Sequence, residues 1–163
     1  MEGVPVSSLV VSDASIERFR EIYNAVDRIY DLYARSCGLS PTEFWCVACI
    51  AGGRSSQAEI AEELAASRQT VNSAFKALVR QGLIELAPHP QNGRVKQARL
   101  TAAGEAFVEA HLHTLDEAEE TVWNAIPEQD RITVNRVLDQ FRVAFAPAIG
   151  ALTQSQAPAS RKE

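Results

Sequence analysis

No run of apolar residues in this chain approaches the length a helix needs to cross a bilayer, and no charged segment precedes an apolar one at its start. The expected location is therefore the cytoplasm, with no membrane partner. Cysteine is scarce, with three residues at irregular spacing that give no disulfide framework. A Gly-rich phosphate loop, a His-Glu-x-x-His pair and a nucleophile elbow are all missing, so nothing points to an enzyme. Cys46-Val47-Ala48-Cys49 has no second Cys-x-x-Cys to complete a zinc site. A redox site would place Cys46 at a helix N-terminus after a strand, whereas it sits well inside a helix that begins at Pro41. Both cysteines read as small buried side chains, and Cys37 in Ser36-Cys37-Gly38 as an exposed one. His111 and His113, two apart on a helix, point to different sides and make a poor chelate. His113 with Glu117 reads as an ordinary surface pair. No metal and no cofactor is expected.

What is present looks globular. The 163 residues are 46% hydrophobic and 23% charged, enough for one domain with a sizeable core. Residues 1–11 read as a flexible lead-in, 12–149 as a single domain, and 150–163 as a disordered polar tail. The net charge of −5 is unevenly spread. From Thr70 to Arg99 the cations Lys76, Arg80, Arg94, Lys96 and Arg99 face only Glu85. From Thr101 to Asp130 there are eight acids and no Lys or Arg. The local field decides which surface can approach an anionic partner, while the acidic helices can face away.

Start and stop signals divide the chain. Ile16, Phe19, Tyr23, Val26, Ile29, Tyr30 and Tyr33 mark a wide apolar face on a helix from about 13 to 35. Ser40-Pro41-Thr42-Glu43 combines an N-cap serine, a first-turn proline and a glutamate that closes a capping box. That helix stops at Gly52-Gly53. Ser56 with Glu59 repeats the box ahead of a short helix from Gln57 to Leu64. A turn through Ala65-Ala66-Ser67 leads to a second helix, Arg68 to Gln81, which Gly82 ends as a left-handed cap. Ala61 and Ala65 are read as small residues at a close helix crossing. Two strands follow, Ile84 to Ala87 and Val95 to Leu100, with Asn92-Gly93 as a tight-turn signal. A strict two-residue turn would pair Leu86 with Arg99 and mix faces, so a bulge or, preferably, a longer loop is expected. Two more helices run from about 102 to 125 and from about 128 to 146, the last one ended by Pro147.

The helix from Arg68 is two-faced. Val71, Ala74, Phe75 and Leu78 form a buried stripe, and Gln69, Asn72, Ser73 and Lys76 repeat the spacing on the opposite side. Amides, a hydroxyl and a cation suit base edges and phosphates in a major groove better than an idle solvated face. In this reading Arg68, Gln69, Thr70, Asn72, Ser73 and Lys76 meet the groove and its phosphates. Ser56, Gln57 and the amides beside them hold a phosphate. Arg94, at the tip Pro90-Gln91-Asn92-Gly93-Arg94, enters the minor groove. The fold class is mainly α with a small β-wing: a winged helix-turn-helix lobe at about 40–104, plus N- and C-terminal helices. The competing reading is a winged-helix protein-interaction module without DNA binding.

The ordered set Ser56-Gln57-x-Glu59-Ile60-Ala61, Ser67-Arg68-Gln69-Thr70-Val71, Gly82-Leu83-Ile84 and Leu100-Thr101-x-x-Gly104 resembles the MarR family of bacterial winged-helix regulators. One departure is the wing tip, Asn92-Gly93-Arg94, where the family usually reads Asp-x-Arg. The resemblance implies a homodimer through helices at about 13–35 and 102–146, double-stranded DNA with a pseudo-palindromic operator as partner, and repression released by a signal. It also implies a small aromatic effector between the dimer helices and the lobe, for which Tyr23, Tyr30 and Trp45 are candidate contacts.

Overall fold

The computed structural model describes residues 13–89 and 92–155. Helix α1 (Ile16–Ser36) is capped by Ser15, whose side chain accepts from the Arg18 amide. Helix α2 (Pro41–Ala51) and helix α3 (Gln57–Glu63) both begin with complete capping boxes. In each, the serine hydroxyl accepts from the glutamate amide and the glutamate carboxylate accepts from the serine amide. Each cap adds about 1 kcal/mol to helix stability. Helix α4 (Arg68–Arg80) starts on Ser67, and Gly82 at φ +73 closes it in the left-handed conformation expected of it. The Leu83 amide reaches back to the Leu78 carbonyl, which completes that cap.

Ala65 departs from its expected role. It is exposed at φ +48 in the α3–α4 turn, and only Ala61 is buried where the helices meet. A three-residue turn needs one left-handed residue to reverse the chain, and here an alanine supplies it at a steric cost.

Strands β1 (Ile84–His89) and β2 (Asn92–Leu100) pair antiparallel as the wing. Ile84 pairs with Leu100, Glu85 with Arg99 and Leu86 with Ala98, so like faces meet. The register is repaired by a bulge rather than a longer loop. It slips between Pro88, opposite Lys96, and His89, opposite Asn92. Asn92 and Gly93 therefore lie in β2, not at a turn, because bulging β2 keeps Ile84 and Ala98 in the core without lengthening the connection. Pro90 and Gln91 of the expected tip lie outside the described residues.

Helix α5 (Ala102–Phe107), a π-turn (Val108–Leu112) and helix α6 (His113–Ala125) follow in unbroken succession. At the π-turn the Tyr33 hydroxyl donates to the His111 carbonyl at 2.9 Å, and the Phe107 ring centroid lies 4.6 Å from that of His111 in a tilted contact. His113 pairs with Glu109 at 2.7 Å rather than with Glu117. Helix α7 (Glu128–Ser155) does not stop at Pro147. Proline there forfeits the bond to Val143 and costs about 3 kcal/mol in a helix interior. The helix continues because Ala148, Ile149, Ala151 and Leu152 favour it. Residues 150–155, expected in a disordered tail, are helical; the lead-in 1–11 and residues 156–163 lie outside the described residues.

The chain separates into two compact units, one up to His113 and one from Thr114, where a single domain is expected from the sequence. All the described core side chains belong to the first. Phe44, Val47, Ile60, Val71, Phe75, Leu78 and Ile84 are essentially inaccessible to solvent. They come from α2, α3, α4 and β1, so each large one adds about 1.5–3 kcal/mol of burial to the same small lobe. No residue of α6 is buried. Among the described residues of the second unit, none is buried.

Candidate nucleic-acid interface

The core described above fixes α4. Val71, Ala74, Phe75, Ala77 and Leu78 are buried against α2, α3 and β1, which leaves a single possible outward face. Arg68, Gln69, Thr70, Ser73 and Lys76 are exposed on it, and Asn72 is half-buried. The two-stripe pattern in the sequence thus becomes a real division between core and solvent. The Thr70 hydroxyl lies 2.7 Å from that of Ser67, the N-cap, and so already has a partner. Gln69, Ser73 and Lys76 keep their polar groups open to an incoming surface.

The N-terminal edge of α3 is less free than the sequence suggests. The Ser56 hydroxyl accepts from the Glu59 amide, and hydrogen bonding from the Ser56 side chain and backbone to the Glu59 carboxylate holds that carboxyl below the usual carboxylate range. Gln57 is half-buried. The loop ahead of α3 is held twice. Arg54 pairs with Glu63 at 2.6 Å, and the Ser55 carbonyl accepts from the Ala98 amide at 2.8 Å. The Gln97 side chain also donates to the Ser55 hydroxyl. The wing is thereby fastened at its base to the helix-turn-helix. Lys96 and Arg99 are exposed on β2, and the Arg94 side chain lies outside the described residues.

One contact missed in the sequence sets the end of the lobe. Thr101 caps α5 and its amide donates to the Leu83 carbonyl at 3.0 Å. Gly104 then passes so close that a Cβ there would stand 2.0 Å from the Leu83 oxygen. The only sequence signal for this approach is the Leu-Thr-x-x-Gly spacing itself.

Of the candidate effector contacts, Tyr30 and Trp45 come together, with ring centroids 5.7 Å apart. Phe44 joins Trp45 and Tyr33 edge-on. Tyr23 is not part of this cluster; it lies beside Phe19 on α1 and is largely exposed. Cys46 and Cys49 are buried as expected, and burial pushes the Cys46 thiol up to about 12. Such a thiol is a poor nucleophile at neutral pH. Cys37 is half-buried rather than exposed. Among the described residues no three His, Cys, Asp or Glu side chains gather to hold a metal, and no helix is long and apolar enough to cross a membrane.

Residues 38–95, spanning α2 to the wing, match the model of the MarR family. The likeness to that family model is confined to the winged-helix lobe. Among curated proteins, the HTH-type transcriptional repressor IacR of Pseudomonas putida is 29% identical over 87 residues, 53% of this chain and 52% of that one. The matched part thus spans about half the length of that relative. MarR-type structures extend the likeness of fold beyond the lobe. The MarR family regulator NMB1585 from Neisseria meningitidis superposes with a TM-score of 0.69 at 22% identity, over 83% of this chain and 96% of that one. The S. aureus MepR–DNA complex gives 0.69 at 20% identity, over 83% and 99%. Streptococcus pneumoniae FabT in complex with DNA gives 0.68 at 20%, over 81% and 95%.

Proposed function

We propose that this protein is a sequence-specific DNA-binding regulator of transcription, a homodimer and a repressor released by a small-molecule or stress signal. The observation that carries the reading is the exposed face of α4. Arg68, Gln69, Ser73 and Lys76 stand open on a helix whose other side is wholly committed to the core. The family match and the neighbours solved with DNA support it. Each protomer sets α4 in a major groove, where Gln69, Asn72 and Ser73 read base edges while Arg68, Thr70 and Lys76 reach phosphates. Ser56 and Gln57 border a phosphate on the α3 side. Arg94 reaches the adjacent minor groove, where width matters more than the degenerate code. The effector, a small aromatic compound, sits against Tyr30 and Trp45. The acids from Glu105 to Asp130 are separate in sequence from the cations of α4 and the wing, so the whole-chain charge of −5 does not by itself prevent approach.

A gel shift on random-sequence duplex over a range of salt tests this. If each protomer touches about four phosphates, the log–log slope is near −7 for the dimer, at about 0.9 per phosphate. No binding at low salt would favour a winged-helix protein-interaction module instead.

A further inference from the structure

We propose that the groove between the first turn of α2 and the flank of α4 seats a stretch of the DNA sugar–phosphate backbone, gripped by Thr42 and Arg80. This rests on the DNA-binding reading above and adds α2 to α4 and the wing as an element that touches the duplex. The groove has a volume of about 510 Å³. One wall carries Thr42 and Glu43, and the other carries Gln69, Ser73 and Arg80. Gln69 and Ser73 therefore belong both to the stripe that meets the major groove and to the wall of this cleft. A strand bordering that major groove must pass along the same wall. From Gln69 to Arg80 the wall is about 16 Å long at 1.5 Å per residue, which suits a length of strand better than a lone ion.

The chemistry of the lining fits phosphate oxygens. The Thr70 hydroxyl is paired with that of Ser67, while the Ser40 hydroxyl accepts from the Glu43 amide and keeps its own hydrogen. The hydroxyls of Ser40, Thr42 and Ser73, the Gln69 amide and the Arg80 guanidinium are the donors in the lining. Arg80 is exposed and, among the described residues, enters no ion pair. A guanidinium can grip phosphate through two parallel hydrogen bonds. Glu43 is the acid in the wall. Its carboxylate accepts from the Ser40 amide at 2.9 Å, which turns it toward the helix start, yet its charge still opposes an anion. A purely structural account makes Arg80 a cation favoured by the α4 dipole and Glu43 a cap, with no effect of either on DNA.

Three full-length variants separate the accounts on random-sequence duplex and on a duplex selected from a random library. Arg80→Gln weakens binding to both by a similar factor, roughly tenfold for a lost charged hydrogen bond, and Thr42→Val does so to a smaller extent. Arg80→Gln also lowers the salt slope by about 0.9 per protomer. Glu43→Gln keeps the capping box, since glutamine can close it, and binds DNA more tightly. Unchanged affinity and slope in all three variants, with a wild type that binds, would overturn the groove and leave the DNA reading standing. A wild type that binds no duplex at all would overturn both.

Discussion

The lobe and the long helices carry the same kind of pattern and resolve it differently. In α4 the apolar stripe closes within the chain, with Phe75 1% and Leu78 0% exposed. In α1 and α7 it does not. Ile29 is 65% exposed, Leu32 61%, Val143 57% and Phe145 49%. An amphipathic stripe therefore states that a helix has a partner and leaves open whether the partner lies in the same molecule. A monomer that exposes this much apolar surface along two helices needs cover, and a second copy with twofold closure is the usual way to supply it. The lobe closes its own core and presents α4; the long helices leave their apolar stripes exposed.

The strongest way to break this contrast is at α7. Phe141 and Phe145 stack with centroids 5.1 Å apart on its exposed side. Replacing both with alanine removes two large side chains, each costing about 3–5 kcal/mol where packed. Sedimentation should show loss of the dimer, and operator affinity should fall with it, while the lobe keeps its helical signal. An intact dimer would take α7 out of the interface. Next is Gly104→Ala, which strikes the lobe instead. Its Cβ meets the Leu83 carbonyl, a backbone atom that cannot swing aside, so the loss should reach about 3 kcal/mol or more. Denaturant melts would show it, and a change under about 1 kcal/mol would mean the contact yields easily. The smallest effect has the opposite sign. Ala65→Gly relieves a left-handed alanine worth roughly 1–2 kcal/mol, against an entropy penalty of about 0.5–1. A net gain of up to about 1 kcal/mol in thermal unfolding would sharpen the account of the turn, and a loss would contradict it.

Features written into a few neighbouring residues are legible in the sequence. The two capping boxes, the Gly82 cap and both faces of α4 follow from spacing alone, because their energetics are local. The remainder depends on distant parts of the chain. Gly104 matters because Leu83 lies against it, and no periodicity reports that approach. The wing register is set by which residues of β2 reach the core, and this outweighs the Asn92-Gly93 turn signal. Nothing local marks the π-turn, which carries the Tyr33 bond from another helix. Pro147 reads as a stop by its usual effect, but the helix-favouring residues on both sides carry α7 through it. Among the candidate DNA contacts, the stripe on α4 is readable because burial of its opposite face decides exposure. Thr42 and Arg80 are not, since the groove they share joins two helices that are separate in sequence.

The central claim is that two copies, joined through the long helices, present two α4 faces to one duplex. Selection of binding sites by the intact protein from a random library tests it most directly. The account predicts enrichment of an inverted repeat whose half-sites lie about one helical turn, roughly 10–10.5 base pairs, apart centre to centre. Gln69→Ala or Asn72→Ala should change the half-site sequence without changing that spacing. A library that stays random, or that yields an unpaired site without twofold symmetry, would contradict it.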